Sequence, residues 1–287
     1  MSRPIASDAI NIHAQQNFVE TVRLNGRRFD CGIIHEYVEA IFHCFQNGKN
    51  ELRNFFIKFL AIISRRFGLH YYNQAALWWR DQDFNLVWKK FPGSNGTPQP
   101  RRYNLYYLTK MVEKLEGSTA ECGALRGGGS YLICAALSDR NTHHYIFDSF
   151  AGLSQPKKSD VNELSHIKWR KGDLASSESE LKANLKIYDD RISVYPGWIP
   201  NEFHKVCDKL FKLVHIDVDL EKPTYDSLAF FYPRMVSGGI IILDDYAVDT
   251  CPGVQKAVDE FFATKAENPV KLASGGGFVV INGTVQK

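Results

Sequence analysis

Two short apolar segments, each ending in a pair of carboxylates, constrain the fold of this chain most. They occupy residues 213–219 and 240–245. Apolar runs of this length predict buried strands. In an open parallel α/β sheet, ligands bind at the carboxyl ends of the strands. The two segments therefore predict an α/β fold with a site at that edge of the sheet.

The four carboxylates are Asp217, Asp219, Asp244 and Asp245. Side chains alternate along a strand, so Asp217 and Asp219 face the same way if the strand continues that far. Carboxylates that share one pocket repel each other, and a divalent cation that prefers oxygen ligands relieves the repulsion. Alternatively, these acids cap the next helix or lie in a solvated turn. Two such pairs after two apolar strands favour metal binding or catalysis.

Strand and helix patterns alternate through the second part of the chain. Strands are predicted at residues 119–122, 144–148, 213–217 and 239–243, and helices at 103–115, 131–137 and 258–265. This alternation is typical of a doubly wound, mostly parallel sheet. A final pair of strands at 270–272 and 278–281 predicts an antiparallel edge.

Residues 1–100 differ in character from residues 101–287, and the two ranges predict an N-terminal helical region with a linker, followed by the main domain. Apolar residues recur at helical spacing in residues 36–45 and 52–63. Residues 91–100 contain the breakers Pro and Gly and predict a loop or linker.

Composition narrows the functional classes. A net charge of +3 without a basic tail argues against nucleic-acid binding. The six cysteines form no CxxC pair and are typical of free thiols in a reducing compartment. The N-terminus lacks a signal peptide, and the longest apolar stretch is too short to span a bilayer. These features predict a cytoplasmic protein, and a homo-oligomer such as a dimer is compatible with them.

A glycine-rich turn after the first predicted strand indicates a cofactor site. It begins with Glu121 and runs to Ser130, and the next strand ends in Asp148, which is placed to accept hydrogen bonds from ribose hydroxyls. Glycines let a ligand approach the backbone closely. An acid at the start of the turn disfavours a pyrophosphate and favours a cationic group such as an amino-acid ammonium, which S-adenosylmethionine carries. A purely structural turn is the alternative.

Together these motifs resemble the macrocin O-methyltransferase (TylF-like) family of S-adenosylmethionine-dependent sugar methyltransferases. The resemblance extends over about residues 103–282 and rests on segments in family order, namely 120–128, 147–153, 172–173, 195–200, 215–220, 223–234, 238–246 and 251–254. One departure is Glu221, where the family usually has an aromatic residue; it is expected to alter the substrate side.

The resemblance implies a class I methyltransferase fold in which the N-terminal region is a helical lid over the acceptor. It also implies that Mg²⁺ or Mn²⁺ is held by Asp217, Asp244 and Asp245, with Asp219 as the general base. The residues expected to line the cofactor site are Glu121, Gly123, Asp148, Ser149 and Asp173.

The resulting prediction is a metal-dependent O-methyltransferase that acts on a sugar hydroxyl of a glycosylated metabolite or glycan. Three alternatives remain: a methyltransferase for a non-sugar hydroxyl, a metal-dependent glycosyltransferase that uses a nucleotide sugar, and a non-catalytic scaffold. Arg101 and Arg102 are interpreted as solvated charges, and His215 as a hydrogen-bonded core histidine.

Overall fold

The structure is a computed structural model. It describes residues 81–92, 99–165 and 167–283, the strand residues 21–24 and 27–30, and residues 63 and 78. The chain divides into two compact units, Met1–Leu77 and Trp78–Lys287. In the first unit, β1 (Thr21–Leu24) pairs antiparallel with β2 (Arg27–Asp30). The helices predicted at 36–45 and 52–63 lie outside the described residues, except for Ile63, which is helical.

A seven-stranded sheet organises the described part of the second unit. Its strands are β3 (Ser118–Cys122), β4 (His144–Asp148), β5 (Ile192–Pro196), β6 (Phe211–Ile216), β7 (Met235–Leu243), β8 (Val270–Lys271) and β9 (Gly277–Val280). The spatial order is β5-β4-β3-β6-β7-β9-β8. The first five strands are parallel, whereas β9 runs antiparallel to both β7 and β8. The predicted mostly parallel sheet with an antiparallel edge is therefore confirmed.

Helices connect these strands. The α-helices are α1 (Gln82–Lys89), α2 (Gln99–Met111), α3 (Gly128–Ala136), α4 (Glu178–Asn184), α5 (Glu221–Phe231) and α6 (Pro252–Phe262). Short 3₁₀ segments occupy Lys158–Asp160, Lys186–Arg191, Phe203–Val206 and Tyr232–Arg234. Within the described residues, no helix is long and apolar enough to cross a membrane.

The alternation of side chains along β6 and β7 explains why helices cover both faces of the sheet. Leu213 and Ile240 pack with residues of α1, α2 and α3, whereas their neighbours Val214 and Ile241 pack with residues of α5 and α6. All six residues of β6 are buried. Apolar runs without polar alternation are expected for strands that are covered on both sides.

The structure differs from the sequence predictions at two places that matter for the site. β6 ends at Ile216, one residue before Asp217, so Asp219 cannot reach the site by strand alternation. Helix α1 belongs to the second unit, where Phe84 is fully buried against α2. The structural division therefore falls between residues 77 and 78, earlier than the predicted boundary at residue 100.

Candidate active site

A cavity of about 650 Å³ opens at the carboxyl ends of β3, β4, β6 and β7. This volume lies within the usual range for small-molecule sites. Seven of the residues predicted for the site line it: Gly123, Asp148, Ser149, Asp217, Asp219, Asp244 and Asp245. Glu121 and Asp173 are not among its lining residues.

Gly123 is required by the close approach of two strand ends. It has φ +81°, and a Cβ atom at this position would lie 1.8 Å from the backbone oxygen of Asp217. Its N–H donates to the backbone oxygen of Phe147 at 2.8 Å. Only glycine combines this conformation with this contact, so the first glycine of the turn fixes the junction between β3 and β6.

Asp148 holds the glycine-rich turn in place. Its Oδ2 accepts the N–H groups of Ala124 at 2.7 Å and Leu125 at 2.8 Å, and its Oδ1 accepts the N–H of Phe150 at 2.7 Å. Burial raises the pKa of Asp148, and these three backbone hydrogen bonds oppose that rise. Ser149 lies beside it and donates its hydroxyl to the backbone oxygen of Gly152 at 2.9 Å.

The sequence predicted that Glu121 contacts the ammonium group of the cofactor. In the structure, Glu121 lies beneath the cavity. Its side chain is 1% exposed; Oε1 lies 2.8 Å from Nδ1 of His215, and Oε2 accepts the hydroxyl of Ser130. A Cβ atom on Gly129 would lie 1.9 Å from Oε1, so this carboxylate packs directly on the first turn of α3. The basic group that Glu121 contacts is therefore a side chain of the protein itself, His215.

His215 links this buried carboxylate to the carboxylate cluster. The ring is fully buried, and Nε2 lies 3.4 Å from Oδ1 of Asp244. Burial lowers the pKa of His215, but the hydrogen bonds to Asp244 and Glu121 outweigh this effect and raise it to about 10. The interpretation of His215 as a hydrogen-bonded core histidine agrees with this geometry.

The four predicted acids come together at the ends of β6 and β7. Potential ligand atoms of His215, Asp217 and Asp244 lie within 4.8 Å of one another, and so do those of Asp219, Asp245 and Cys251. Asp219 reaches this position through a left-handed turn with φ +58°. Its N–H donates to Oδ2 of Asp245 at 3.1 Å, which ties the two groups together.

The acids influence one another electrostatically. Burial, followed by the charges of Asp244 and Asp245, raises the pKa of Asp217 well above its usual value. Burial and the charges of Asp245 and Asp244 do the same for Asp219. Burial alone would raise the pKa of Asp244, but the hydrogen bond from His215 lowers this pKa below its usual value. Such a cluster needs compensating positive charge.

Arg101 supplies part of that charge, contrary to its interpretation as a solvated residue. Its side chain is 15% exposed, and Nη1 lies 2.5 Å from Oδ2 of Asp244 and 3.2 Å from Oδ1 of Asp245. The same nitrogen donates to the backbone oxygen of Asp244 at 2.7 Å. The contact spans 143 residues of sequence, so no local pattern could have identified it.

Three further residues that line the cavity were given no role in the sequence analysis, although Trp198 and Cys251 lie in segments that carry the family resemblance. Cys251 is buried beside Asp219, with Sγ 3.8 Å from Oδ1, and Trp169 donates its ring N–H to the backbone oxygen of Thr250 at 3.0 Å. Trp198 also lines the cavity.

Asp173, predicted for the cofactor site, and Glu221, predicted to alter the substrate side, both have partners within the protein. Asp173 accepts the N–H of Arg170 at 2.8 Å, and its backbone oxygen packs close to Gly152. Glu221 forms an ion pair of 2.8 Å with Lys256.

The known proteins that this chain resembles are O-methyltransferases. The family model for macrocin O-methyltransferase (TylF) matches residues 101–281. One similar protein is the "8-demethyl-8-(2,3-dimethoxy-alpha-L-rhamnosyl)-tetracenomycin-C 4'-O-methyltransferase" of Streptomyces olivaceus. It is 30% identical over 60% of this chain and 70% of its own length. Demethyldecarbamoylnovobiocin O-methyltransferase of Streptomyces niveus is 32% identical over 51% of this chain and 58% of its own length.

Solved structures share the fold. The O-methyltransferase NovP is 27% identical, with a TM-score of 0.54 over 66% of this chain and 83% of its own. The calicheamicin methyltransferase CalS11 is 15% identical, with a TM-score of 0.55 over 69% of this chain and 93% of its own. At that identity, the second likeness concerns the fold alone.

Proposed function

Because the chain belongs to the macrocin O-methyltransferase (TylF) family of S-adenosylmethionine-dependent O-methyltransferases, we propose that it methylates a sugar hydroxyl of a glycosylated metabolite or glycan. We further propose that the reaction needs Mg²⁺ or Mn²⁺. One observation carries the proposal: a single cavity contains both the glycine-rich turn with Asp148 and the carboxylates at the ends of β6 and β7.

We assign the cofactor to the part of the cavity formed by Gly123, Asp148 and Ser149. A carboxylate has about four acceptor positions, and backbone N–H groups take three of those of Asp148. The remaining position is available to a ribose hydroxyl. Glu121 supports this wall from beneath through the first turn of α3, and Asp173 supports it through its backbone contact near Gly152.

Asp217, Asp244 and Asp245 would hold the divalent cation. Carboxylate oxygens are the ligands that Mg²⁺ and Mn²⁺ prefer. The position between Asp244 and Asp245 also suits a cation, because the Arg101 guanidinium contacts both carboxylates there. When bound, such an ion would lower the pKa of an acceptor hydroxyl that it contacts.

We assign Asp219 as the general base. It lines the cavity, and its N–H is anchored to Asp245 at 3.1 Å, which fixes the backbone beside the proposed metal ligands. In the transfer, the acceptor oxygen forms a bond to the methyl carbon as the sulfur–carbon bond of the cofactor breaks. The hydroxyl proton passes to the Asp219 carboxylate, and S-adenosylhomocysteine leaves.

The sugar acceptor is supported by the names of the relatives. The Streptomyces olivaceus protein is named for a 4'-O position on a rhamnosyl group, and a Micromonospora griseorubida relative is named mycinamicin III 3''-O-methyltransferase. These positions differ, so similarity alone does not identify the hydroxyl. Trp169 and Trp198 offer apolar ring surface on the cavity wall for such an acceptor.

Methyl transfer from isotopically labelled S-adenosylmethionine to a panel of acceptors tests the proposal. The panel contains glycosylated metabolites, their aglycones and simple phenols. Label should enter the sugar of at least one glycosylated compound; chelation should abolish this transfer, and Mg²⁺ or Mn²⁺ should restore it. Asp245→Asn should lose the metal response, whereas Asp190→Asn, at an exposed ion pair, should keep it.

The alternatives give different results in the same preparation. Labelling of phenols or aglycones alone would indicate a non-sugar acceptor. Binding of a nucleotide sugar, without binding of S-adenosylhomocysteine, would indicate the glycosyltransferase. A protein that binds S-adenosylhomocysteine but labels no acceptor with any metal would contradict the proposed reaction.

A further inference from the structure

We propose that Arg101 is an internal counter-ion that competes with the divalent cation for the carboxylate cluster, and so weakens metal binding. The side chain would have to leave Asp244 and Asp245 before a metal ion could bind them. This inference rests on the metal site of the proposed function and adds a residue that sets its affinity.

The geometry of one nitrogen atom carries the proposal. Nη1 of Arg101 lies within hydrogen-bonding distance of three oxygens: 2.5 Å from Oδ2 of Asp244, 2.7 Å from its backbone oxygen and 3.2 Å from Oδ1 of Asp245. A Mg²⁺ ion bound to both carboxylates would lie about 2 Å from each ligand oxygen. The other two oxygens, Oδ1 of Asp244 and Oδ2 of Asp245, already have partners in His215 and the Asp219 N–H. An ion that binds the two oxygens contacted by Nη1 would need the same space as the nitrogen.

Burial gives this contact its strength. The side chains of Asp244 and Asp245 are each 6% exposed, and that of Arg101 is 15% exposed. A charge-assisted hydrogen bond in such surroundings is stronger than one on the surface. Removing the guanidinium would leave the buried carboxylates with less compensating positive charge. The metal-free protein would then be less stable, and a cation that takes the place of the guanidinium would bind more tightly.

The location of Arg101 allows it to move. It lies in the first turn of α2, and its Cδ lies 4.0 Å from the position of a Cβ atom on Gly275, in the β8–β9 connection. The side chain therefore reaches the cluster past a residue that has no side chain of its own. Because Arg101 also lines the cavity, rotation of its long side chain into that space would free the two carboxylates.

Mn²⁺ binding, measured from the electron paramagnetic resonance signal of free Mn²⁺, tests the proposal without an activity assay. The wild-type chain is compared with Arg101→Gln and with the control Arg140→Gln, whose guanidinium pairs with Asp190 at an exposed site. We expect Arg101→Gln to bind Mn²⁺ about 10- to 100-fold more tightly, the factor for losing a competing charged hydrogen bond. Arg140→Gln should match the wild type.

Thermal unfolding gives an independent readout. Arg101→Gln should melt at a lower temperature than the wild type without metal, and Mn²⁺ should raise its melting temperature more than it raises that of the wild type. If Arg101→Gln does not fold, Arg101→Lys is used instead. The shorter side chain loses part of the three-oxygen contact, so this variant should also bind Mn²⁺ more tightly than the wild type.

The outcomes separate this inference from the proposed metal site. Equal or weaker Mn²⁺ affinity in the Arg101 variants, with clear binding to the wild type, would overturn the inference alone. Absence of Mn²⁺ binding in all variants would overturn the proposed metal site and the inference with it. Binding that appears only after replacement of Arg101 would support both.

Discussion

Replacement of His215 should destabilise the fold strongly, because the ring compensates two buried carboxylates. It lies 2.8 Å from Oε1 of Glu121 and 3.4 Å from Oδ1 of Asp244, with its own side chain fully buried. His215→Leu keeps the volume roughly similar and removes both contacts. Breaking a buried ion pair on one side costs about 3–5 kcal/mol, and we expect a loss of this size in the free energy of unfolding.

A double-variant cycle separates the charge effect from packing. In a Glu121→Gln background, residue 121 is a neutral amide, so removal of the His215 ring leaves no unpaired carboxylate at that position. The loss in the free energy of unfolding caused by His215→Leu should therefore fall to about 1–3 kcal/mol. The difference of about 2 kcal/mol is the coupling between the two side chains. His204→Leu, at an exposed histidine, serves as the control and should change stability by less than about 0.5 kcal/mol.

Urea unfolding followed by tryptophan fluorescence at pH 7 measures these energies. A loss below about 1 kcal/mol for His215→Leu, or the same loss in both backgrounds, would refute the reasoning.

The pKa of His215, raised to about 10, adds a pH test. Stabilisation by a raised pKa is fully present below the unfolded value of about 6.5 and is lost as the pH rises through the folded value. The difference between wild type and variant should therefore shrink as the pH approaches 10.

Three further changes probe the cavity wall. Asp148→Ala should weaken S-adenosylmethionine binding by about 1–3 kcal/mol, because it removes a buried acceptor; unchanged affinity by calorimetry would exclude this residue from the cofactor site. Asp219→Asn should lower turnover by about 10²–10⁴-fold with normal Mg²⁺ affinity and melting temperature, and a parallel loss of Mg²⁺ affinity would instead make it a metal ligand. Gly123→Ala should abolish S-adenosylhomocysteine binding and lower the melting temperature, since its Cβ would lie 1.8 Å from the Asp217 oxygen. Gly172→Ala, with a similar φ but no atom within 4 Å, should cost only about 1–2 kcal/mol of stability; equal effects of the two glycine variants would contradict the steric argument.

The sequence predicted those parts of the fold whose signals are local. The apolar runs around Leu213 and Ile240 identified two central strands, and the acids after them identified the edge of the sheet where the cavity lies. β5 (Ile192–Pro196) was missed because it has no apolar run, and its residues are only half-buried or exposed. Helix α5 was missed as well.

The partners of charged side chains could not be predicted in the same way. A sequence does not show that Arg101 reaches Asp244, or that Glu121 contacts His215 across 94 residues. Asp219 was expected to reach the site by strand alternation, but a left-handed turn brings it there after β6 has ended. Such contacts depend on how strand ends meet in three dimensions.

The most direct test of the proposed site is anomalous diffraction from crystals grown with Mn²⁺ and S-adenosylhomocysteine. One anomalous peak should lie about 2 Å from carboxylate oxygens of Asp217, Asp244 and Asp245. Arg101 should then have moved away from the two carboxylates that it contacts in this structure, and the ribose of S-adenosylhomocysteine should contact Asp148. Bound S-adenosylhomocysteine without an anomalous peak, or with Mn²⁺ on other residues, would contradict the account.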